Sequence, residues 1–159
     1  MKYRELKIKK LPVAMRQRSA SRIAAVQLNF QYLFVDGDLE TSLAEYLKHY
    51  SSDVAEEMNV RDIDVPYFRK LVFDCKIHEL SIRELISSSL VGGWNIDRLS
   101  KADLTILSVA ICELKNMANT PVKVVITEYT AIADAYNSDV SFINAILDKV
   151  ARKLRIKEM

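Results

Sequence analysis

Glycine, proline, cysteine and histidine are all scarce in this chain, and each shortage closes off a class of protein. Only three Gly and three Pro punctuate 159 residues. That is too few for the many tight turns of a β-sandwich or barrel, so an all-α chain is expected. The two cysteines, Cys75 and Cys112, stand among apolar residues at no metal-ligand spacing, which predicts buried free thiols rather than a disulfide or a metal site. The two histidines, His49 and His78, share no ligand spacing with another His, Cys or acidic residue. The one Gly pair, Gly92-Gly93, lacks the Lys-Ser/Thr that completes a phosphate loop. No carboxylate pair stands out for acid/base work, so no enzyme, no metal and no cofactor is expected. Nor does any apolar run approach the roughly 20 residues that span a bilayer, and no apolar secretory segment opens the chain. A cytoplasmic protein without a membrane partner is the expectation.

What the chain does have is apolar residues in helical register and a lopsided charge. Half of its residues are hydrophobic, enough for a real core at this length. Between Met1 and Arg22 eight basic residues face one acidic one, whereas the chain as a whole is only +2. Lys and Arg massed at one end can neutralise phosphates and release counterions, the footprint of a nucleic-acid binder, although a solvated basic tail carries the same charge. Residues 1–15 read as a basic, flexible extension, and 16–155 as one helical domain of two subdomains, about 16–90 and 94–155.

The periodicity predicts about six to seven helices. The first covers about 16–35, with Arg18 and Arg22 four residues apart on one face and Ile23, Val26, Phe30 and Leu33 on the neighbouring stripe. Asp36-Gly37-Asp38 then leads into Leu39–Tyr50. Ser51 to Asp64 reads as a loop with at most a short helical turn, and Val65–Leu90 as one long helix, with Pro66 in its first turn and Gly92-Gly93 ending it. From Ser100 a segment apolar nearly all round belongs in a core; Ser100 and Asp103 form a capping box at its start. Asn119-Thr120-Pro121 makes a turn before the helix carrying Val125, Tyr129, Ile132 and Tyr136. Asn137-Ser138-Asp139 caps the last helix, which carries Phe142 through Leu154.

Taken together, Arg18-x-x-x-Arg22-x-x-x-Val26-Gln27, Trp94-x-x-x-Arg98-Leu99, Asp103-Leu104-x-x-Leu107-x-x-Ala110-x-x-Glu113-Leu114, Pro121-Val122 with Ile126-x-Glu128, and Phe142-Ile143-Asn144-Ala145-Ile146-Leu147-Asp148 resemble the bacterial NusB family of transcription antitermination factors. The resemblance covers about Arg16 to Leu154 and implies an all-helical, non-enzymatic protein of two packed bundles. It implies pairing with NusE, which is also a small-subunit ribosomal protein. The pair would bind the boxA element of nascent ribosomal-operon RNA, then join other Nus factors and RNA polymerase to suppress termination. It leaves monomer and homodimer both open. A detached module of an rRNA methyltransferase and a protein-only helical scaffold are the competing readings.

Residue roles follow from the resemblance with a structural alternative beside each. Arg16, Arg18 and Arg22 would contact unpaired RNA. Gln27 would read a base edge or hydrogen-bond a neighbouring helix. Phe142 would stack on a base or sit in the core, and Asp139 would touch RNA or serve as an N-cap. Asp103 would face NusE or complete its capping box. Glu113 and Glu128 read as helix-pairing groups, and Trp94 with Arg98 as a structural anchor between the halves.

Overall fold

The computed structural model describes residues 11–159. Among them are eight α-helices, two short 3-10 turns and no strand: α1 Val13–Tyr32, α2 Leu39–His49, α3 Ser51–Glu57, α4 Val65–Ile77, α5 Glu79–Ser89, α6 Lys101–Asn116, α7 Val122–Ala135 and α8 Val140–Leu154. None is long and apolar enough to cross a membrane. The expected extension over 1–15 lies largely outside the described residues, though Val13 to Met15 already belong to α1.

Short polar residues start the helices where the sequence places them. Asp38 Oδ2 accepts from the Thr41 N–H at 3.3 Å, Ser100 Oγ from Asp103 N–H at 3.0 Å, and Asp139 Oδ1 from Phe142 N–H at 3.1 Å. Each satisfies one of the donors that a helix N-terminus leaves without an intrahelical partner. Asn137, in left-handed backbone (φ 57°), closes α7. Two expectations need correction. The polar stretch after Tyr50 is a helix, because Val54, Ala55 and Met58 supply a buried stripe; Asn59 (φ 54°) then stops it. The long helix over 65–90 is two helices that meet at His78 (φ −99°, ψ 18°), which leaves regular helical geometry without a Gly or Pro to announce it.

The chain forms two compact units, one ending at Val72 and the other running Phe73–Met159. They divide inside α4, upstream of the Gly pair near which the sequence suggested a division. In the first unit, α1, α2 and α3 pack against one another around Leu28, Leu43, Met58, Phe68 and Leu71. Burying a Leu or Phe in this way is worth about 1.5–3 kcal/mol. Tyr46 stacks on Phe68 with centroids 5.4 Å apart.

In the second unit α6, α7 and α8 pack mutually, with α5 against α6 and α8. Helix α6 is its centre: Ile106 through Leu114 are buried apart from Ser108. Buried Glu113 accepts the Tyr129 hydroxyl at 2.7 Å, so it is a helix-pairing group as expected. Cys75 and Cys112 are buried and form no disulfide. Hydrogen bonding to Cys112 and burial push the Cys75 thiol well above its ordinary range.

A latch unseen in the sequence closes this unit. Arg155, its side chain 7% exposed, donates to the carbonyls of Leu114 (2.8 Å), Met117 (2.8 Å) and Thr120 (2.6 Å) and reaches Glu113 O at 3.4 Å. These include the acceptors that the end of α6 leaves unsatisfied, and a cation there also suits the negative end of the helix dipole. Glu158 bonds Arg155 at 3.0 Å and accepts the Val122 N–H at 3.0 Å. It thereby caps α7, whose Pro121 offers no side-chain cap.

Candidate nucleic-acid interface

The first turns of α1 are stitched to the segment entering α4. Ser21 Oγ lies 2.7 Å from Asp64 O and 3.0 Å from Gln17 O. Gln17 Nε2 donates to Asp62 O at 3.2 Å. Ser19, Ala20 and Ser21 are buried, which explains why the basic run is broken at these positions: an arginine there would point into protein.

The three arginines consequently do three different things. Arg16 donates from Nε to Leu11 O at 3.1 Å and from Nη1 to Asn59 O at 2.5 Å, tying down the turn after α3. Arg22 is only 3% exposed, a correction to the open face expected for it. Its guanidinium lies 5.5 Å from the Tyr67 ring centroid. Arg18 keeps 54% of its side chain exposed, 3.8 Å from Asp64 Oδ2, and sits 5.2 Å from the centroid of the same ring. Tyr67 is thus a common base for two cations, a cation–π arrangement that limits where the Arg18 side chain can swing. Asp64 in turn positions Tyr67, accepting its N–H at 3.1 Å.

Gln27 is occupied within the fold: its Oε1 accepts the Tyr46 hydroxyl at 2.6 Å, the helix-to-helix bond that was one of its two readings. Asp64 and Tyr67 are contributors that the sequence reading missed. Their only signal was the start of a helix at Asp64-Val65-Pro66, and nothing in the sequence says that this start meets α1.

The remaining candidates lie in the second unit. Asp139 is the N-cap of α8 and remains exposed. Phe142, half-buried, meets Trp94 with ring centroids 6.5 Å apart and planes at 38°. Trp94 is 56% exposed and Arg98 is exposed too. Asp103 gives its N–H to Ser100, but its carboxylate does not return the bond. Its Oδ1 is buried and has no hydrogen-bond partner among the described residues. The capping box is therefore one-sided, and this oxygen is a buried acceptor left without a partner.

The chain as a whole can be set beside known proteins. A NusB family profile matches residues 19–152. The transcription antitermination protein NusB of Clostridium botulinum is 33% identical over 138 residues, covering 86% of this chain and 98% of that one. The protein of the same name from Bartonella tribocorum is 29% identical over 154 residues, covering 96% and 99%. Among solved structures, T. maritima NusB superposes with a TM-score of 0.64 at 28% identity, covering 94% of this chain and 97% of that one. A NusB crystallised with NusE and double-stranded RNA gives 0.70 at 22% identity, covering 87% and 98%, a likeness of fold.

Proposed function

The chain belongs to the NusB family, and from that premise we propose that it is a cytoplasmic transcription antitermination factor that binds boxA-type single-stranded RNA in nascent ribosomal-operon transcripts together with NusE. Joined to other Nus factors and RNA polymerase, the pair suppresses premature termination. The observation that carries the reading at residue level is Arg18, a cation left exposed near the start of α1 and steadied by Tyr67. A guanidinium so placed can meet a phosphate or lie on an unstacked base. Arg22 acts from beneath, through Tyr67, and Arg16 by fixing the neighbouring turn. On the second unit Phe142 offers a ring for stacking, Asp139 borders it as the helix cap, and the half-buried Asp103 at the start of α6 is the contact toward NusE.

One exposed arginine gives modest RNA affinity on its own, since each phosphate contact is screened by salt. NusE supplies further contacts within one association event, so the pair binds far more tightly than this chain alone. By linkage, RNA tightens the protein–protein contact by the same factor. Fluorescence anisotropy of labelled boxA RNA, titrated with the protein in the presence and absence of saturating NusE, tests this directly. Tighter binding with NusE is expected, and equal affinities refute the pairing. Retained NusE binding with no RNA binding in either series would make the chain a protein-only scaffold.

A further inference from the structure

Asp64 is tied into the first unit through its backbone as well as its side chain. Its N–H donates to Gln17 O at 3.4 Å, its carbonyl accepts the Ser21 hydroxyl at 2.7 Å and the Phe68 N–H at 3.0 Å, and its Oδ1 accepts the Tyr67 N–H at 3.1 Å. The carboxylate is therefore held in place without help from Arg18. Its second oxygen, Oδ2, stands 3.8 Å from Arg18 Nε, too far for a hydrogen bond but close enough for the two charges to attract. Starting α4 does not call for that charge. Asn and Ser cap a helix about as well as Asp, so a negative group beside the exposed arginine is an addition to the cap.

The pair is also easily exchanged. Arg18 keeps 54% of its side chain exposed and Asp64 31%, and an ion pair in contact with water holds weakly. An RNA phosphate offers the guanidinium two short charge-assisted bonds in place of one long contact. Tyr67, its ring centroid 5.2 Å from the guanidinium carbon, keeps Arg18 at this spot while the anions change over.

We infer that Asp64 sets the RNA affinity of this site, its carboxylate competing with RNA phosphate for Arg18. The inference rests on the RNA-binding reading above and adds to it a residue that lowers affinity. Two effects act in the same direction. An arriving strand must displace an attraction already made, and the fixed carboxylate then faces the phosphate as a like charge. Once uncovered, Asp64 also draws in a cation, which offsets part of the counterion release that binding brings. Charge alone consequently holds a strand poorly at Arg18, and further contacts, to bases or through NusE, decide what stays bound.

The test titrates labelled boxA RNA, with NusE saturating, with the full protein and with Asp64→Asn, following anisotropy and correcting for the folded fraction by circular dichroism. Asn keeps the cap and the size and removes the charge. Binding about threefold tighter than wild type is expected, with the plot of log affinity against log salt steeper by up to about 0.7. Asp64→Ser, a cap with a shorter side chain, should gain likewise; a gain made by Asn alone is a new amide contact and overturns the competition. In an Arg18→Ala background the gain should vanish, and its persistence overturns the part given to that pair. A scrambled strand of equal length should gain about as much as boxA, because phosphate contacts carry no sequence information; a gain confined to boxA makes Asp64 a base reader and overturns the inference. Equal or weaker binding by both variants overturns it too, while the proposed function stands. Wild-type affinity no greater than that of NusE alone overturns both.

Discussion

The start of α1 and the face of α8 carry similar numbers of basic residues but use them in opposite ways. Along α1 the charge is largely committed to the fold: Arg16 holds backbone carbonyls and Arg22 is buried against Tyr67, so only Arg18 stays substantially exposed. Along α8 two lysines keep their charge without carboxylate partners, and structural duty falls instead to Arg155. A count of basic residues therefore overstates how many cations of the first region are left to meet a ligand. Burial and partnership, not composition, decide which cation can meet a ligand.

Substitutions sharpen this contrast, and the largest effect belongs to the most committed cation. Arg155→Ala removes a buried guanidinium that serves several carbonyls at the end of α6. Charge-assisted bonds of this kind contribute about 1.5–3 kcal/mol each, and the buried acceptors lose their partner together. A stability loss of about 3 kcal/mol in urea denaturation is expected; Arg155→Lys recovers a part of it. Next comes Asp139→Ala, which removes the α8 cap and should cost about 1 kcal/mol. If RNA affinity, corrected for the folded fraction, stays unchanged in that variant, Asp139 is a cap alone.

A smaller effect attaches to pH. The Val122 N–H and then Arg155 hold the Glu158 carboxyl below the usual range for glutamate. Its folded value is lower than its unfolded one, so its contribution to stability is present above the unfolded pKa of about 4.3 and is lost as pH falls through the folded value. Acid unfolding of wild type and Glu158→Gln should therefore differ at neutral pH and converge on the acid side. A constant difference down to pH 2 would remove Glu158 from the latch.

Helices α6 and α8 could be read from the sequence because apolar spacing agrees with a capping Ser100 or Asp139, and α7 because its apolar spacing runs between Pro121 and Asn137. Helix α3 could not, because Asp53, Glu56 and Glu57 surround its few buried residues and make the stretch look like a loop. The break at His78 has no Gly or Pro to mark it. At the candidate interface, a helical face drawn from α1 alone puts Arg18 and Arg22 side by side. Arg22 is buried and Arg18 is not once α1 packs on the segment carrying Asp64 and Tyr67, some 45 residues further along the chain, and long-range burial of this kind leaves no mark in local spacing. Trp94, read from the sequence as a structural anchor, is 56% exposed after a turn through two left-handed glycines, and local spacing does not announce that exposure.

The central claim is that Arg18 is the cation of α1 available to RNA. Its most direct test is the affinity of Arg18→Ala for boxA RNA with NusE present, at moderate salt and alongside circular dichroism. Exposed as it is, the substitution should change stability by no more than about 0.5 kcal/mol. Loss of one charge-assisted contact should nonetheless weaken RNA binding about tenfold. An intact fold with unchanged RNA affinity would contradict the account.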